Sequence, residues 1–278
     1  MLADVLPYLV CPHCGGDLAL SGTSLRCPNR HTFDIARQGY VSLLREATSF
    51  TGDTAAMTDA RAAFLGAGHY APIVQELLTV VPGPGCVADI GAGIGHYLAA
   101  VLDHYPDRVG IAADAAKPAL RRAAKAHPRL GAVLCDAWQP LPIRSGSVGL
   151  ALNVFAPRNP AELHRVLHPL GRMVVVTPTS AHLAELVSTV DMLTVAEDKR
   201  AQVAAKLAPY FEAADEVRRD FPMALSRRDA AALVGMGPTA FHADAATIDA
   251  RVAGLAEPVA VTGSVVVTTY RPIPANAR

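Results

Sequence analysis

From Val87 onward, short apolar runs of strand length alternate with stretches whose apolar residues recur at helical spacing. The runs are Val87–Ile90, Val109–Ala113, Ala132–Cys135, Val148–Phe155 and Met173–Val176. Between them the pattern predicts helices over His96–His104, Pro160–Leu167, with proline at its start, and Ser180–Val190, with Ser180 as its cap. Two later strands, Glu216–Leu225 and Gly263–Tyr270, flank a helix over Ser226–Val234 whose first turn carries Asp229. Residues 191–210 read as a charged helical excursion on the surface. This alternation predicts an α/β fold built on a mainly parallel sheet. Pro82-Gly83-Pro84-Gly85 punctuates its start. Ahead of it, Leu18, Leu20 and Leu25 alternate with small or polar residues around Ser21-Gly22, which predicts a short hairpin. The expected organisation is a small module over 1–45, a helical linker over 46–82 and the α/β domain over 83–278.

Composition narrows the function classes. The chain has 278 residues, 51% of them hydrophobic and 18% charged, which excludes a disordered chain. Mean hydropathy is +0.25, yet no apolar run reaches the roughly 18 residues of a membrane span. Lys plus Arg and Asp plus Glu number 25 each, so any polyanion must be held by a local patch. The first residues carry no basic segment ahead of an apolar one, so the expected compartment is the cytoplasm.

Five cysteines in that setting argue for metal or buried thiols rather than disulfides. Cys11-x2-Cys14-x12-Cys27-x3-His31 has zinc-ligand spacing, with Gly15-Gly16 completing a tight knuckle. Three thiolates and one imidazole leave no open position, so the predicted zinc is structural. His13, inside the knuckle, is a competing ligand but is expected to face solvent. Cys86 and Cys135 are expected in the core. Arg26 and Arg30 bracket Cys27, and together with Arg37 they are the candidate phosphate contacts.

The strand ending at Ile90 runs into Asp89-x-Gly91-x-Gly93-x-Gly95, with Ile94 and His96 around the last glycine. The glycines let backbone approach a ligand closely. Asp114 ends the second strand 19 residues after Gly95, placed to accept from two ribose hydroxyls. Asp136 ends the third, where a carboxylate meets an adenine amino group. This ordered set resembles Rossmann-type S-adenosylmethionine-dependent methyltransferases.

A second resemblance is narrower. Thr51-Gly52-Asp53-Thr54-Ala55-Ala56-Met57, Ala60-Arg61, Phe64-Leu65 and Gly68-His69-Tyr70 follow Gly39-Tyr40-Val41-Ser42-Leu43-Leu44 and the Cys/His cluster. From Cys11 to about Met236 the chain resembles the 23S ribosomal RNA (guanine-N1)-methyltransferases, including the tylosin/mycinamicin-resistance type. The resemblance implies methylation of N1 of a guanine in a domain II hairpin loop, a macrolide-resistance role, and a homodimer whose zinc modules flank an RNA cleft. It implies zinc on Cys11, Cys14, Cys27 and His31. It also implies cofactor contacts from Tyr70, the Gly91–Gly95 turn and His182. Ile94, His96 and Arg158-Asn159 depart from the family's usual residues. Guanine N1 carries a proton, so Asp53 is the candidate base and Asn153 the candidate partner for the base edge. Phe155, Tyr70 and Trp138 are candidate stacking rings. Two competing readings are a small-molecule methyltransferase with a structural zinc ribbon and a non-enzymatic zinc- and nucleoside-binding regulator.

Overall fold

The structure, a computed structural model, describes residues 2–46, 52–190 and 199–274. The helices are α1 (Leu2–Val5), α2 (Ala55–Gly66), α3 (Ala71–Leu78), α4 (His96–His104), α5 (Lys117–Ala123), α6 (Pro160–Val166), α7 (Ala184–Thr189), α8 (Lys199–Leu207), α9 (Arg227–Gly235) and α10 (Ala245–Ala253). The strands are β1 (Ala19–Ser21), β2 (Ser24–Arg26), β3 (Thr32–Asp34), β4 (Tyr40–Ser42), β5 (Cys86–Ile90), β6 (Gly110–Asp114), β7 (Leu130–Leu134), β8 (Val148–Val154), β9 (Leu167–Pro178), β10 (Phe211–Leu225) and β11 (Val259–Pro272).

Strands β5 to β8 are buried at almost every position, as expected of parallel strands covered on both faces. They belong to an eight-stranded sheet of order β10-β11-β9-β8-β5-β6-β7-β4. From β9 to β4 neighbouring strands run parallel, while β11 pairs antiparallel with both β9 and β10. The order turns back between β5 and β8, the place where doubly wound sheets bind ligands beyond their strand ends.

Alternation along the strands sends side chains to two cores. Val87, Leu150, Leu152 and Val154 pack with Phe64, Ile73, Leu98, Leu120 and Leu233 of the helices on one face. Cys86, Ala88, Ala151 and Val133 pack on the other face with α1, α6 and the N-terminal ribbon. Cys86 and Cys135 are buried there, as expected. Gly131 makes room for α1, since a Cβ there would lie 2.3 Å from Val5 Cγ2.

Several expectations need correction. The expected hairpin is β1–β2, and β3 extends it to a three-stranded sheet. Tyr40–Ser42, inside the expected 1–45 module, pairs with β7 and forms the edge of the large sheet. The stretch read as a linker contributes core residues Phe64, Leu65, Ile73 and Leu77. Ser180 does not cap a helix: α7 begins at Ala184, after Leu183 in left-handed backbone, φ 59. The helix after β10 starts on Ser226, whose side chain accepts from Asp229 N. Of the excursion over 191–210, the helix α8 is described, whereas 191–198 lies outside the described residues, as does Thr51. Among the described residues no helix is long and apolar enough to cross a membrane.

The β5–β8 junction depends on close backbone approach. Gly83 N donates to Gly149 O at 2.9 Å, and a Cβ on Gly149 would sit 2.1 Å from Gly83 O. Gly149→Ala should therefore destabilise the fold by about 1–3 kcal/mol. A fall in the urea midpoint at unchanged slope checks this, and an unmoved midpoint would mean the 83–85 segment yields freely.

Candidate cofactor cleft and metal centre

The four zinc-spaced residues converge. Their ligand atoms all lie within 4.8 Å of one another. Cys14 Sγ is 3.7 Å from Cys27 Sγ, and His31 Nδ1 is 3.5 and 3.3 Å from Cys11 and Cys27 Sγ. A tetrahedral zinc with ordinary bond lengths demands edges of about 3.7 Å between sulfurs and about 3.5 Å between sulfur and nitrogen. The donor set fits zinc. A Gly16 backbone hydrogen bond, ahead of opposing burial, brings the Cys14 thiol down to about 6, which suits a thiolate ligand. His13 is not in the set; its ring stacks on Phe33 with centroids 5.8 Å apart. The module is fixed to the sheet: Leu9 bridges Ile143, and Arg144 bonds Asp17 at 2.6 Å and Pro7 O at 3.0 Å. Arg26, Arg30 and Arg37 are exposed, and among the described residues none has a carboxylate partner.

At the carboxyl end of β5, Gly91, Gly93 and Gly95 all take positive φ, of 83°, 53° and 78°. Gly91 is required twice over, because a Cβ there would meet Ala156 Cβ at 2.4 Å. Gly95 caps α4, whose first residue is His96, and Ile94 packs against the core. Burial lowers the proton affinity of His96, keeping the imidazole neutral. Asp114 accepts from Gly93 N at 2.8 Å and from Ala116 N at 2.7 Å. Each oxygen keeps a lone pair, so the carboxylate braces the turn and still has room for a hydroxyl. Asp136 is buried and accepts from Trp138 N at 2.9 Å.

Asp89 stands apart. The residue is 1% exposed, and neither carboxyl oxygen has a hydrogen-bond partner among the described residues. Burial, then the nearby Asp114, pushes it up to about 8. A buried carboxyl without a donor is unfavourable unless a ligand supplies one. The glycine turn, Asp89 and Asp114 thus fit a ligand that brings an ammonium and hydroxyls, as S-adenosylmethionine does.

A ring cluster faces this turn. Tyr70 lies 6.1 Å from Phe155 and 6.0 Å from His182 and Phe221, between ring centroids. His182 Nδ1 accepts from Ser264 N at 3.0 Å, so the neutral imidazole carries its proton on Nε2, 3.2 Å from Tyr70 Oη. Burial takes His182 down to about 4 and raises the Tyr70 hydroxyl far above its usual range. Phe155 has φ 53 and is 38% exposed, so left-handed backbone turns its ring out at the end of β8. Trp138 is half exposed beyond β7.

The two candidate catalytic residues are otherwise engaged. Asp53 Oδ2 accepts from Arg61 at 2.6 and 3.1 Å. Asn153 is fully buried; its amide donates to Ile90 O and Pro157 O and accepts from Arg158 Nε at 2.8 Å. It braces the strand ends rather than reaching a base edge. Arg61, which composition and spacing did not single out, lies across the turn.

Two outcomes follow from this geometry. Purified protein should hold one zinc per chain, and Cys14→Ser should lose it; metal analysis of both proteins decides. Asp89 binds a proton in the folded state that the unfolded chain releases above the ordinary carboxylate range. Its contribution to stability therefore falls as pH rises from that range through about 8. A ligand ammonium reverses the shift, so S-adenosylhomocysteine should release up to about one proton near pH 7. Calorimetry in buffers of different ionisation enthalpy measures this, with Asp89→Asn abolishing it; buffer-independent heat from the wild type contradicts it.

Known proteins match this arrangement. Residues 9–45 fit a zinc-ribbon family model described as "RlmA, N-terminal". A Micromonospora griseorubida protein named for 23S rRNA (guanine-N1)-methyltransferase activity is 49% identical, covering 98% of this chain and all of its own. The 23S rRNA (guanine(748)-N(1))-methyltransferase of Streptomyces fradiae is 46% identical over 99% of this chain and all of its own. A chain from the complex between the Haloferax volcanii Trm112 methyltransferase activator and a methyltransferase shares the fold: TM-score 0.50, 17% identity, 81% of this chain and 100% of that one. The chain belongs to the 23S rRNA (guanine-N1)-methyltransferase family.

Proposed function

We propose that the protein transfers a methyl group from S-adenosylmethionine to N1 of a guanine in a domain II hairpin loop of 23S rRNA. The observation that carries this reading is the outward ring of Phe155 beside the polar pair Tyr70–His182, over a turn fit for the cofactor. A flipped or unpaired base needs such a stacking face with hydrogen-bonding groups at its edge.

When bound, the cofactor supplies an electrophilic methyl on a sulfonium. The chain's residues do the rest. Phe155 stacks the base. His182 donates from Nε2 to Tyr70 Oη, which leaves the Tyr70 proton free to point at the guanine O6. Because burial keeps that proton in place, Tyr70 is a donor that stabilises charge building on O6 as N1 reacts. Neither Asp53 nor His182 is free to take the proton: Asp53 is held by Arg61, and the lone pair of His182 Nδ1 is occupied by Ser264 N. The N1 proton therefore leaves to water. Arg26, Arg30 and Arg37 contact phosphates, and the assembly is a cytoplasmic homodimer. The resemblance to the tylosin/mycinamicin-resistance type supports a macrolide-resistance role. A small-molecule acceptor would call for a closed apolar lid, whereas Phe155 and Trp138 stand open at the rim.

Labelled S-adenosylmethionine and 23S rRNA from a strain lacking the modification provide the test. Label should appear as N1-methylguanine within the domain II hairpin. Label at another atom, or none in RNA, sinks the proposal. The transfer rate should climb with pH across the neutral range, since deprotonation of N1 is not assisted by a histidine. A plateau beginning near pH 6.5 would identify an imidazole base.

A further inference from the structure

Arg61 projects from α2 across the glycine turn: its Cδ lies 3.5 Å from where a Cβ on Gly93 would stand. Its guanidinium offers five N–H donors. Nε and Nη2 bond Asp53 Oδ2, and Nη2 also bonds Met236 O at 2.9 Å. The two N–H groups of Nη1 have no hydrogen-bond partner among the described residues. The side chain is 27% exposed, so this fork is held in place rather than solvated freely. Its charge acts on Tyr70, Tyr97 and Asp114, all groups lining the turn.

Among the described residues the carboxyl groups around the turn are those of Asp53, Asp89 and Asp114, with Asp89 holding its proton until a ligand cation arrives. Such a pocket suits the ammonium and the ribose of S-adenosylmethionine but repels its α-carboxylate. We propose that Arg61 is the anchor for that carboxylate, received on Nη1, with Asp53 and the Met236 carbonyl as positioning groups that aim the fork. This assigns Asp53 to holding Arg61, not to proton abstraction. The inference rests on the reading of the cleft as an S-adenosylmethionine site. It also ties the end of α9 to cofactor occupancy, since one guanidinium nitrogen bonds Met236 and the other faces the ligand.

The test compares two ligands by calorimetry on the full chain: S-adenosylhomocysteine, and 5′-methylthioadenosine, which lacks the amino-acid end. Arg61→Gln should weaken the first by about 10- to 100-fold, the range of a lost charge-assisted pair, and leave the second unchanged. Arg61→Lys keeps the charge without the fork; it should show a smaller loss confined to S-adenosylhomocysteine, and it serves should Arg61→Gln fail to fold. Equal losses on both ligands, or unchanged affinity for both, overturn the assignment while leaving the cofactor reading intact. A wild type that binds neither ligand overturns both. Asp53→Asn should cost S-adenosylhomocysteine affinity as well; loss of methyl transfer with that affinity unaltered would return Asp53 to the role of base.

Discussion

The side-chain amide of Asn153 ties together the two strands between which the cleft opens. It bonds the last carbonyl of β5, at Ile90, and the Pro157 carbonyl in the loop after β8, and it takes up Arg158 on its oxygen. The amide itself is fully buried, where an unmet polar group costs about 1–3 kcal/mol. The loop so pinned brings Ala156 against Gly91, leaving no room for a side chain at the first glycine. It also fixes the departure from β8 that throws the Phe155 ring outward. Cofactor turn and stacking face are thus two sides of one clamp.

Charge is distributed unevenly over that clamp. Three carboxyl groups and one guanidinium surround the turn, and each is handled differently. Asp114 is satisfied by backbone amides, Asp53 by Arg61, and Asp89 by nothing among the described residues. A site with one deliberately unmet acid is selective by default, because a neutral or anionic ligand leaves it unmet. The same principle governs the imidazole: the Ser264 amide fixes the His182 tautomer and thereby determines which way the Tyr70 hydroxyl can point.

Legibility in the sequence followed locality. The zinc ligands were readable because a knuckle and a hairpin turn chain spacing directly into spatial proximity. The glycine turn was readable because strand, turn and helix are contiguous. Asn153 was not: as a polar residue at a strand end it resembled a base-edge reader, and its partners at Ile90 and Pro157 belong to different elements. Arg61 sits in the motif that carries the family resemblance, yet its role is not legible there, since it depends on Asp53, Met236 and Gly93 meeting in space. The late strands were read short. In β10, exposed charges such as Glu212, Arg218 and Asp220, together with a register shift between Ala213 and Asp215, mask a fifteen-residue strand that only its pairing with β11 reveals.

The ribbon's seat on the sheet has one more consequence. Leu9, Leu25 and Phe33 share a core with Val133 and Ile143, and Arg144 fastens the outside. A module held this way cannot swing to accommodate its target. Under the proposed function, the span from its exposed arginines to Phe155 acts as a rigid gauge, accepting an RNA by the distance between its backbone and the base it presents. Selection by length needs no letter of the sequence to be read.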